Sequence, residues 1–169
     1  MKNNLVKIVL LVILALMFSC SVMNEPDEPD TAIYDETELR SDIANHAKMY
    51  VHTRYRYAST NPAKGFDCSG FSSYILNKYG FEMPRSSTNQ AHLGKKVSLS
   101  EAKVGDLVFF GKRRKISHVA IIVKNENGNM TVVHSTNSKG VIEENIKNSR
   151  YWRKRVLFAR DVVSTSKEN

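Results

Sequence analysis

The segment from Lys64 to Phe71 constrains this chain more than any other, because it predicts the point where a loop turns into a helix. Asp67 is a favourable N-cap residue, an apolar-periodic run follows it, and Gly80 lies just beyond the last periodic position. Cys68 would then lie in the first helical turn, where unpaired N–H groups and the helix dipole favour a thiolate. The segment therefore predicts a helix with a cysteine at its N-terminal end.

Two interpretations of this cysteine are open. A lone cysteine on an apolar helix most often acts as a small buried hydrophobe. Two histidines favour catalysis instead, since His118 begins one apolar run and His134 ends the next. The segment Asn125-Glu126-Asn127-Gly128-Asn129 predicts a hairpin between these runs, which brings both histidines to the same end of an antiparallel ladder. Cysteine, histidine and a polar third group are the components of a thiol protease site.

Several ordered motifs resemble the NlpC-type, papain-like cysteine peptidases of bacterial cell walls. These motifs are Tyr55-Arg56-Tyr57, Asp67 to Phe71, Met83-Pro84-Arg85-Ser86, Gly105 to Phe110, His118 to Ile121, and His134. The stretches Arg54 to Tyr57 and Tyr151 to Arg155 are most similar to the Spr-like murein endopeptidases of that family. The resemblance covers residues 40 to 162 and implies an α+β, papain-like fold, with N-terminal helices, including the nucleophile helix, packed on an antiparallel β-sheet.

The resemblance also implies a catalytic role for five residues. Cys68 would be the nucleophile, His118 the general base, and His134 the group that fixes the tautomer of His118. The hydroxyl of Tyr55 and a backbone N–H of Cys68 or Ser69 would hold the oxyanion. The sequence alone favours packing on the core for an aromatic at position 55.

Three further residues would line the substrate groove by the same resemblance: Tyr57, Arg85 and Ser86. Arg85 has the geometry to pair with a peptide carboxylate, and a structural salt bridge is an equally good interpretation. The two glycines that are usual after the second aromatic are replaced by Ala58 and Ser59, so we expect a locally different loop path.

The implied reaction is hydrolysis of murein stem-peptide bonds through an acyl-thioester, by a monomeric enzyme without a cofactor. The Spr-like stretches favour the D,D cross-link, and the bond between D-glutamate and the diamino acid is the alternative. Two other functions stay open: a papain-like amidase or acyltransferase, and a non-catalytic wall-binding lipoprotein.

The first twenty residues are typical of a secretory signal. Lys2 and Lys7 precede an apolar run from Ile8 to Phe18, and Cys20 follows it at the place where bacterial lipoproteins carry lipid. Phe18 stands where a small residue is usual, which leaves plain secretion or an uncleaved apolar anchor as alternatives. We expect an exported protein, anchored through lipid to a bacterial membrane and facing the periplasm or cell surface.

The remaining chain divides into an acidic tether (21–38), one domain (39–163) and a polar tail (164–169). Residues 21–40 contain seven acidic and one basic residue, whereas residues 41–169 contain 22 basic and 10 acidic residues. This domain would be attracted to an anionic polymer or membrane surface, although Lys112–Lys115 is equally well a solvated loop. We expect no nucleic-acid partner, because the chain is exported and lacks a recognisable motif. No cluster has zinc-ligand spacing, so we expect no metal.

The hydrophobic pattern predicts the following elements, listed in chain order: helices at Ser41–Thr53, Cys68–Tyr79 and Thr88–Leu93, and strands at Leu107–Phe110, His118–Lys124, Met130–Thr136, Gly140–Ile146 and Val156–Val162.

Overall fold

A computed structural model describes residues 35–164 of the 169-residue chain. The predicted signal peptide with Cys20, nearly all of the predicted tether and the tail beyond residue 164 lie outside the described residues. The helices are α1 (Glu36–Lys48), α2 (Cys68–Asn77), α3 (Ser87–Gln90) and α4 (Arg150–Arg153), with one 3₁₀ turn at Ile146–Asn148. The strands are β1 (Thr60–Asn61), β2 (Gly65–Phe66), β3 (Lys95–Val97), β4 (Leu107–Lys112), β5 (Lys115–Glu126), β6 (Asn129–Thr136), β7 (Gly140–Asn145) and β8 (Val156–Asp161). None of the helices between residues 35 and 164 is long and apolar enough to cross a membrane.

Six of the strands form one antiparallel sheet in the order β3-β8-β4-β5-β6-β7, which confirms the predicted α+β architecture. Side chains alternate between its two faces, as they must in a β-strand. One face packs against α1 and α2 around a cluster that includes Phe71, Ile75, Phe109, Val119 and Val133. The opposite face carries a smaller cluster that includes Val108, Phe110, Ile122, Val132 and the partly buried Trp152.

Both hairpins at the centre of the sheet close through two-residue turns. The β5–β6 turn uses Asn127 and Gly128, with φ of 52° and 90°, which is the residue pair that such turns favour. The β4–β5 turn uses Arg113 and Arg114, with φ of 50° and 65°. The predicted basic loop is therefore a tight turn that places two arginines in the left-handed region, and strands β4 and β5 extend closer to it than predicted.

Helix α1 begins five residues before the position that the apolar pattern predicts, and it ends at Lys48 rather than Thr53. The side chain of Asp35 accepts a hydrogen bond from the Thr37 N–H and caps the helix. Acidic residues assigned to the end of the tether therefore form the first helical turn, and the folded part begins before residue 39. After Lys48 the chain turns toward the sheet, where the His52 N–H donates to the Val141 carbonyl at 2.8 Å.

A buried arginine explains the earlier helix start. Arg40 is 4% exposed, and all five of its N–H groups are used. The acceptors are Glu36, the Val104 carbonyl, Asp106, Asp161 and Ser164. The guanidinium thus joins the first turn of α1 to the segments at the ends of β4 and β8, which no local pattern in the sequence predicts.

Candidate active site

The N-terminus of α2 has the geometry that its sequence predicts. The carboxylate of Asp67 accepts from the Gly70 N–H at 2.8 Å and caps the helix directly before Cys68. A Cβ atom at Gly70 would lie 2.1 Å from the Ser59 carbonyl oxygen, so only glycine permits the preceding loop to pack here. These contacts position the helix start against the loop from Tyr55 to Phe66.

This loop is also fixed to the sheet. The Ser135 hydroxyl on β6 donates to the Phe66 carbonyl at 2.7 Å, and both residues are fully buried. Because Ser135 directly follows His134, the same strand positions a candidate site residue and the nucleophile loop. Strand β6 therefore helps to fix the position of the loop before Cys68 relative to His134.

The guanidinium of Arg85 forms a salt bridge with the carboxylate of Asp67. Its Nη1 lies 2.8 Å from Oδ1 and its Nη2 lies 2.5 Å from Oδ2, while Nη1 also donates to the Ser69 hydroxyl at 3.1 Å. Burial alone would raise the pKa of Asp67, but the hydrogen bonds from Arg85 and from the Gly70 N–H lower it below its usual value. The structure thus contains the salt bridge that was one of the two interpretations of Arg85. Ser86 caps α3 through the Asn89 N–H and is exposed.

The two histidines are hydrogen bonded to each other inside the sheet. His118 Nε2 lies 2.9 Å from His134 Nδ1, and His134 is fully buried. The second ring nitrogen of His134, Nε2, lies 2.9 Å from Oε1 of Glu144 on β7. Trp152 of α4 stacks on the His118 ring, with 4.3 Å between ring centroids. The His118 ring is therefore held from two sides, and Nδ1 is its nitrogen not engaged by His134.

Cys68 lies against the strand that carries His118. Its sulfur accepts from the backbone N–H of Val119, the residue that follows His118, and from N–H groups at its own helix N-terminus. Even so, burial together with the charge of Asp67 raises the pKa of the Cys68 thiol above its ordinary value. The N–H groups at the helix N-terminus lower the pKa of Cys68 in the predicted direction, but desolvation and the charge of Asp67 outweigh them in the resting protein.

His118 shows the matching shift. Burial, followed by the charge of His134 when that ring is protonated, lowers the pKa of His118 well below its ordinary value. A thiol with a raised pKa and an imidazole with a lowered pKa are both in their neutral forms at neutral pH.

The two tyrosines of the predicted oxyanion loop differ in exposure. Tyr55 is half-buried, and its pKa is raised by burial and then by the negative charges of Asp67 and ionised Cys68. It therefore lies on the cysteine side of the site, with its hydroxyl protonated at neutral pH. Tyr57 is 81% exposed. Ala58 has a φ of 53°, so the loop adopts a left-handed conformation here although glycine is absent.

A cleft of about 510 Å³ opens beside His118. Glu144, Tyr151 and Trp152 line it together with Ser117 and the turn that contains Lys139. No local pattern in the sequence predicts a role for Glu144 or Trp152. Within the described part of the chain, no three His, Cys, Asp or Glu side chains are arranged to hold a metal ion.

The register of β7 explains why Glu144 was missed. His134 pairs with Ile142 and Val132 pairs with Glu144, so Glu144 lies diagonally across from His134 on the same face. Alternation in β7 is the signal for this contact, but it becomes informative only when the register is known. Trp152 lies in the Tyr151–Arg155 stretch, which resembles the Spr-like endopeptidases but does not by itself indicate a contact with His118.

Residues 52–161 match the NlpC/P60 family. The chain is 38% identical over 130 residues to the murein DD-endopeptidase MepS/murein LD-carboxypeptidase of Escherichia coli (strain K12), covering 76% of this chain and 66% of that protein. It is 34% identical over 161 residues to the gamma-DL-glutamyl hydrolase of Bacillus subtilis (strain 168), covering 92% of this chain and 36% of that protein. The chain thus spans between about a third and two thirds of these relatives.

Solved structures show the same fold. The NlpC/p60 domain of the peptidoglycan hydrolase SagA superposes with a TM-score of 0.61 at 29% identity, over 72% of this chain and 97% of that one. An NlpC/P60 family protein from Bacillus cereus superposes with a TM-score of 0.67 at 28% identity, over 73% of this chain and 40% of that one. The recognised motifs, the matched residues and the shared architecture lead to one conclusion: the chain belongs to the NlpC/P60 family and has its α+β, papain-like fold.

Proposed function

We propose that this chain is a cysteine peptidase that hydrolyses peptide bonds in the stem peptides of peptidoglycan. The observation that carries the proposal is the hydrogen bond from the Val119 N–H to the Cys68 sulfur, because Val119 directly follows His118 in β5. The His118 ring is in turn oriented by His134, whose Nδ1 lies 2.9 Å from His118 Nε2. A thiol at a helix N-terminus beside an oriented imidazole is the arrangement that nucleophilic catalysis requires. Relatives that are named as murein and glutamyl hydrolases support the substrate class.

In the proposed reaction, His118 Nδ1 takes the Cys68 proton while the sulfur attacks the carbonyl carbon of the scissile amide. The C–N bond then breaks, the imidazolium gives its proton to the leaving amine, and a thioester remains on Cys68. Water attacks the thioester with His118 again acting as base, which releases the carboxylate and restores the thiol. The neutral forms of Cys68 and His118 suit this order of steps, since a lowered pKa leaves His118 unprotonated and able to accept a proton.

Charge on the carbonyl oxygen would be stabilised at the N-terminus of α2. The N–H groups of Cys68 and Ser69 already point toward the sulfur, so an oxygen bonded to the attacked carbon would lie within their reach. The Tyr55 hydroxyl is a third donor on the same side, and its raised pKa keeps it protonated at neutral pH. Tyr57 is exposed to solvent, and we propose that it contacts the substrate.

Two bonds are candidates for cleavage. The D,D cross-link is favoured by the Arg54–Tyr57 and Tyr151–Arg155 stretches and by the 38% identical relative named as a DD-endopeptidase. The bond after D-glutamate is favoured by the relative named as a gamma-DL-glutamyl hydrolase, which aligns with 92% of this chain. We propose the D,D cross-link as the principal substrate.

Mass spectrometry of muropeptides identifies the bond. Purified peptidoglycan is incubated with residues 21–169 and separately with a matched Cys68→Ala variant. Conversion of cross-linked dimers to monomers, absent with the variant, is expected. Cleavage within the monomer stem would move the proposal to the glutamyl bond, and release of stem peptides from glycan would indicate an amidase. Unchanged muropeptides with both proteins would overturn the peptidase proposal in favour of a wall-binding role.

We also propose that the protein is exported as a monomer and anchored by lipid on Cys20. Support comes from the basic start of the chain, the apolar run from Ile8 to Phe18 and the cysteine that follows it. Intact-mass analysis of the membrane fraction tests the anchor. A mass increase from acyl chains on Cys20 is expected, and an unmodified cysteine would overturn it.

A further inference from the structure

We propose that Glu144 is a positioning residue that fixes which ring nitrogens of His134 and His118 carry protons. The inference rests on the proposed cysteine chemistry of the site and goes beyond it, because it adds a fourth member to the cysteine and two histidines. It arises from two consecutive 2.9 Å contacts, from Glu144 Oε1 to His134 Nε2 and from His134 Nδ1 to His118 Nε2.

The proton positions follow from the chemistry of a carboxylate, which accepts hydrogen bonds and cannot donate them when ionised. His134 must therefore carry its proton on Nε2, and in the neutral ring Nδ1 is then an acceptor. His118 must in turn donate from its own Nε2, which leaves the lone pair of His118 on Nδ1. A single carboxylate thus determines that the remaining nitrogen of His118 is a base and not a donor.

The surroundings keep Glu144 ionised. The hydrogen bond from His134 lowers the pKa of Glu144, in opposition to its partial burial, and Ser149 and the charge of Lys139 lower it further. The Glu144 side chain is 26% exposed and lines the cleft, so its charge is partly shielded from solvent. The titratable groups around the histidine pair are Glu144, Lys139 and Tyr151, which line the same cleft as His118, and Cys68, whose sulfur accepts from the N–H of the residue after His118.

The charge of Glu144 has a second effect. When His118 accepts the thiol proton, the pair of rings gains one positive charge within a buried site. A carboxylate one ring away stabilises that charge more strongly than a neutral amide, which can accept the hydrogen bond but carries no charge. Loss of the carboxylate should therefore weaken His118 as a base and make the thiolate of Cys68 harder to form.

The test compares Glu144→Gln with Glu143→Gln, which makes the same chemical change at the adjacent residue of β7. Glu143 is exposed, and its ion-pair partner, Lys48, lies 3.8 Å away on α1. Glu144→Gln is expected to lower kcat on peptidoglycan about tenfold or more with little change in KM. It is also expected to raise the pH midpoint of Cys68 alkylation by iodoacetamide by about one unit. Glu143→Gln should leave both unchanged.

Glu144→Asp separates a positioning role from a structural one. It keeps the charge on a shorter side chain, so partial recovery of kcat and of the alkylation midpoint is expected. If Glu144→Asp and Glu144→Gln are equally impaired, or if Glu144→Gln behaves like Glu143→Gln, the proposal is overturned.

Nitrogen NMR of the wild-type rings gives a result that needs no variant to fold. Protons on Nε2 of both His134 and His118 near neutral pH are expected, and a proton on Nδ1 of His134 would overturn the proposal. The alkylation and NMR measurements use no substrate. An enzyme inactive on peptidoglycan that still shows both effects would overturn the proposed function alone, while an active enzyme without them would overturn only the role of Glu144.

Discussion

Asp67 and Arg85 form a two-point salt bridge at the entrance to the helix that carries Cys68, with Nη1–Oδ1 and Nη2–Oδ2 distances of 2.8 and 2.5 Å. Asp67 thereby caps the helix and carries a negative charge close to the thiol, and Arg85 offsets that charge. The electrostatic environment of the candidate nucleophile therefore depends on an ion pair between two residues that are 18 positions apart in the sequence.

Replacement of Arg85 should affect both stability and thiol reactivity. We expect Arg85→Gln to lower the free energy of unfolding by about 1–2 kcal/mol, a moderate value because the arginine is partly exposed. The uncompensated charge of Asp67 should also raise the pKa of Cys68 and slow its alkylation at neutral pH. Urea unfolding and iodoacetamide kinetics measure the two effects. Unchanged alkylation in a destabilised Arg85→Gln would contradict the electrostatic role, and Arg85→Lys should restore the alkylation rate in part.

The Arg40 network should contribute more to stability than any exposed ion pair. Arg40→Met leaves the carboxylates of Asp106 and Asp161 without their buried cation, and we expect a loss of about 3–5 kcal/mol in the free energy of unfolding. Lys48→Met, in the same helix but with an exposed and longer ion pair, should cost less than about 0.5 kcal/mol. Chemical denaturation of both variants provides the comparison, and equal stabilities would contradict the network's importance.

The buried His118 should make stability fall in mild acid. Its pKa is lowered in the folded state, so below the ordinary pKa of about 6.5 the unfolded chain binds a proton that the folded protein does not. Stability is then fully present above pH 6.5 and decreases as the pH falls, by up to about 1.4 kcal/mol per unit. We expect His118→Asn to lose this part of the slope between pH 6.5 and 5, measured by urea unfolding at each pH, whereas the contribution of His46, whose pKa is also lowered by burial, remains.

Two controls sharpen that measurement. Burial raises the pKa of Asp106 to about 6, so this group binds a proton in the folded protein first and increases stability as the pH falls, opposite to His118. The difference between the wild type and His118→Asn cancels this contribution, which both proteins share. His52 is exposed, and His52→Asn should leave the slope as in the wild type. A pH dependence in His118→Asn that is equal to that of the wild type would show that His118 does not cause the acid sensitivity.

The two arginines of the β4–β5 turn should lower the free energy of unfolding while they add positive charge to the surface. Arg113 and Arg114 both have positive φ, which disfavours ordinary side chains, so replacement by Asn-Gly should stabilise the protein by about 1 kcal/mol or more. If the turn also attracts the anionic wall, the same change should weaken adsorption to peptidoglycan at low salt. Removal of two exposed lysines elsewhere, Lys64→Gln with Lys95→Gln, is the matched control. Equal adsorption by both double variants would mean that only net charge matters.

The elements that local sequence predicts best are those whose signals are short-range. The cap at Asp67, the apolar periodicity after Cys68 and the Asn127-Gly128 turn each act within a few residues, and the helix and hairpin form where these signals lie. Alternation in β5 and β6 then determines that His118 and His134 approach each other. This much of the site follows from local patterns together with the geometry of an antiparallel ladder.

The features that the sequence did not reveal depend on distant contacts. The acceptors of Arg40 include residues up to 124 positions away, so the true start of α1 is not visible in its own apolar pattern. Glu144 meets His134 only through the register of β7, and the thiol pKa of Cys68 is set by burial that a sequence does not report. The short edge strand β3 was missed because three residues are too few to show alternation.

If Cys68 is the nucleophile, Cys68→Ala should lose nearly all of its rate of peptidoglycan solubilisation. Cys20→Ala, which removes the chain's other cysteine, is the matched control. We predict that Cys68→Ala loses at least about a thousandfold in rate while remaining folded, and that Cys20→Ala retains wild-type activity on purified substrate. Hydrolysis by Cys68→Ala at a rate comparable to the wild type would contradict the account.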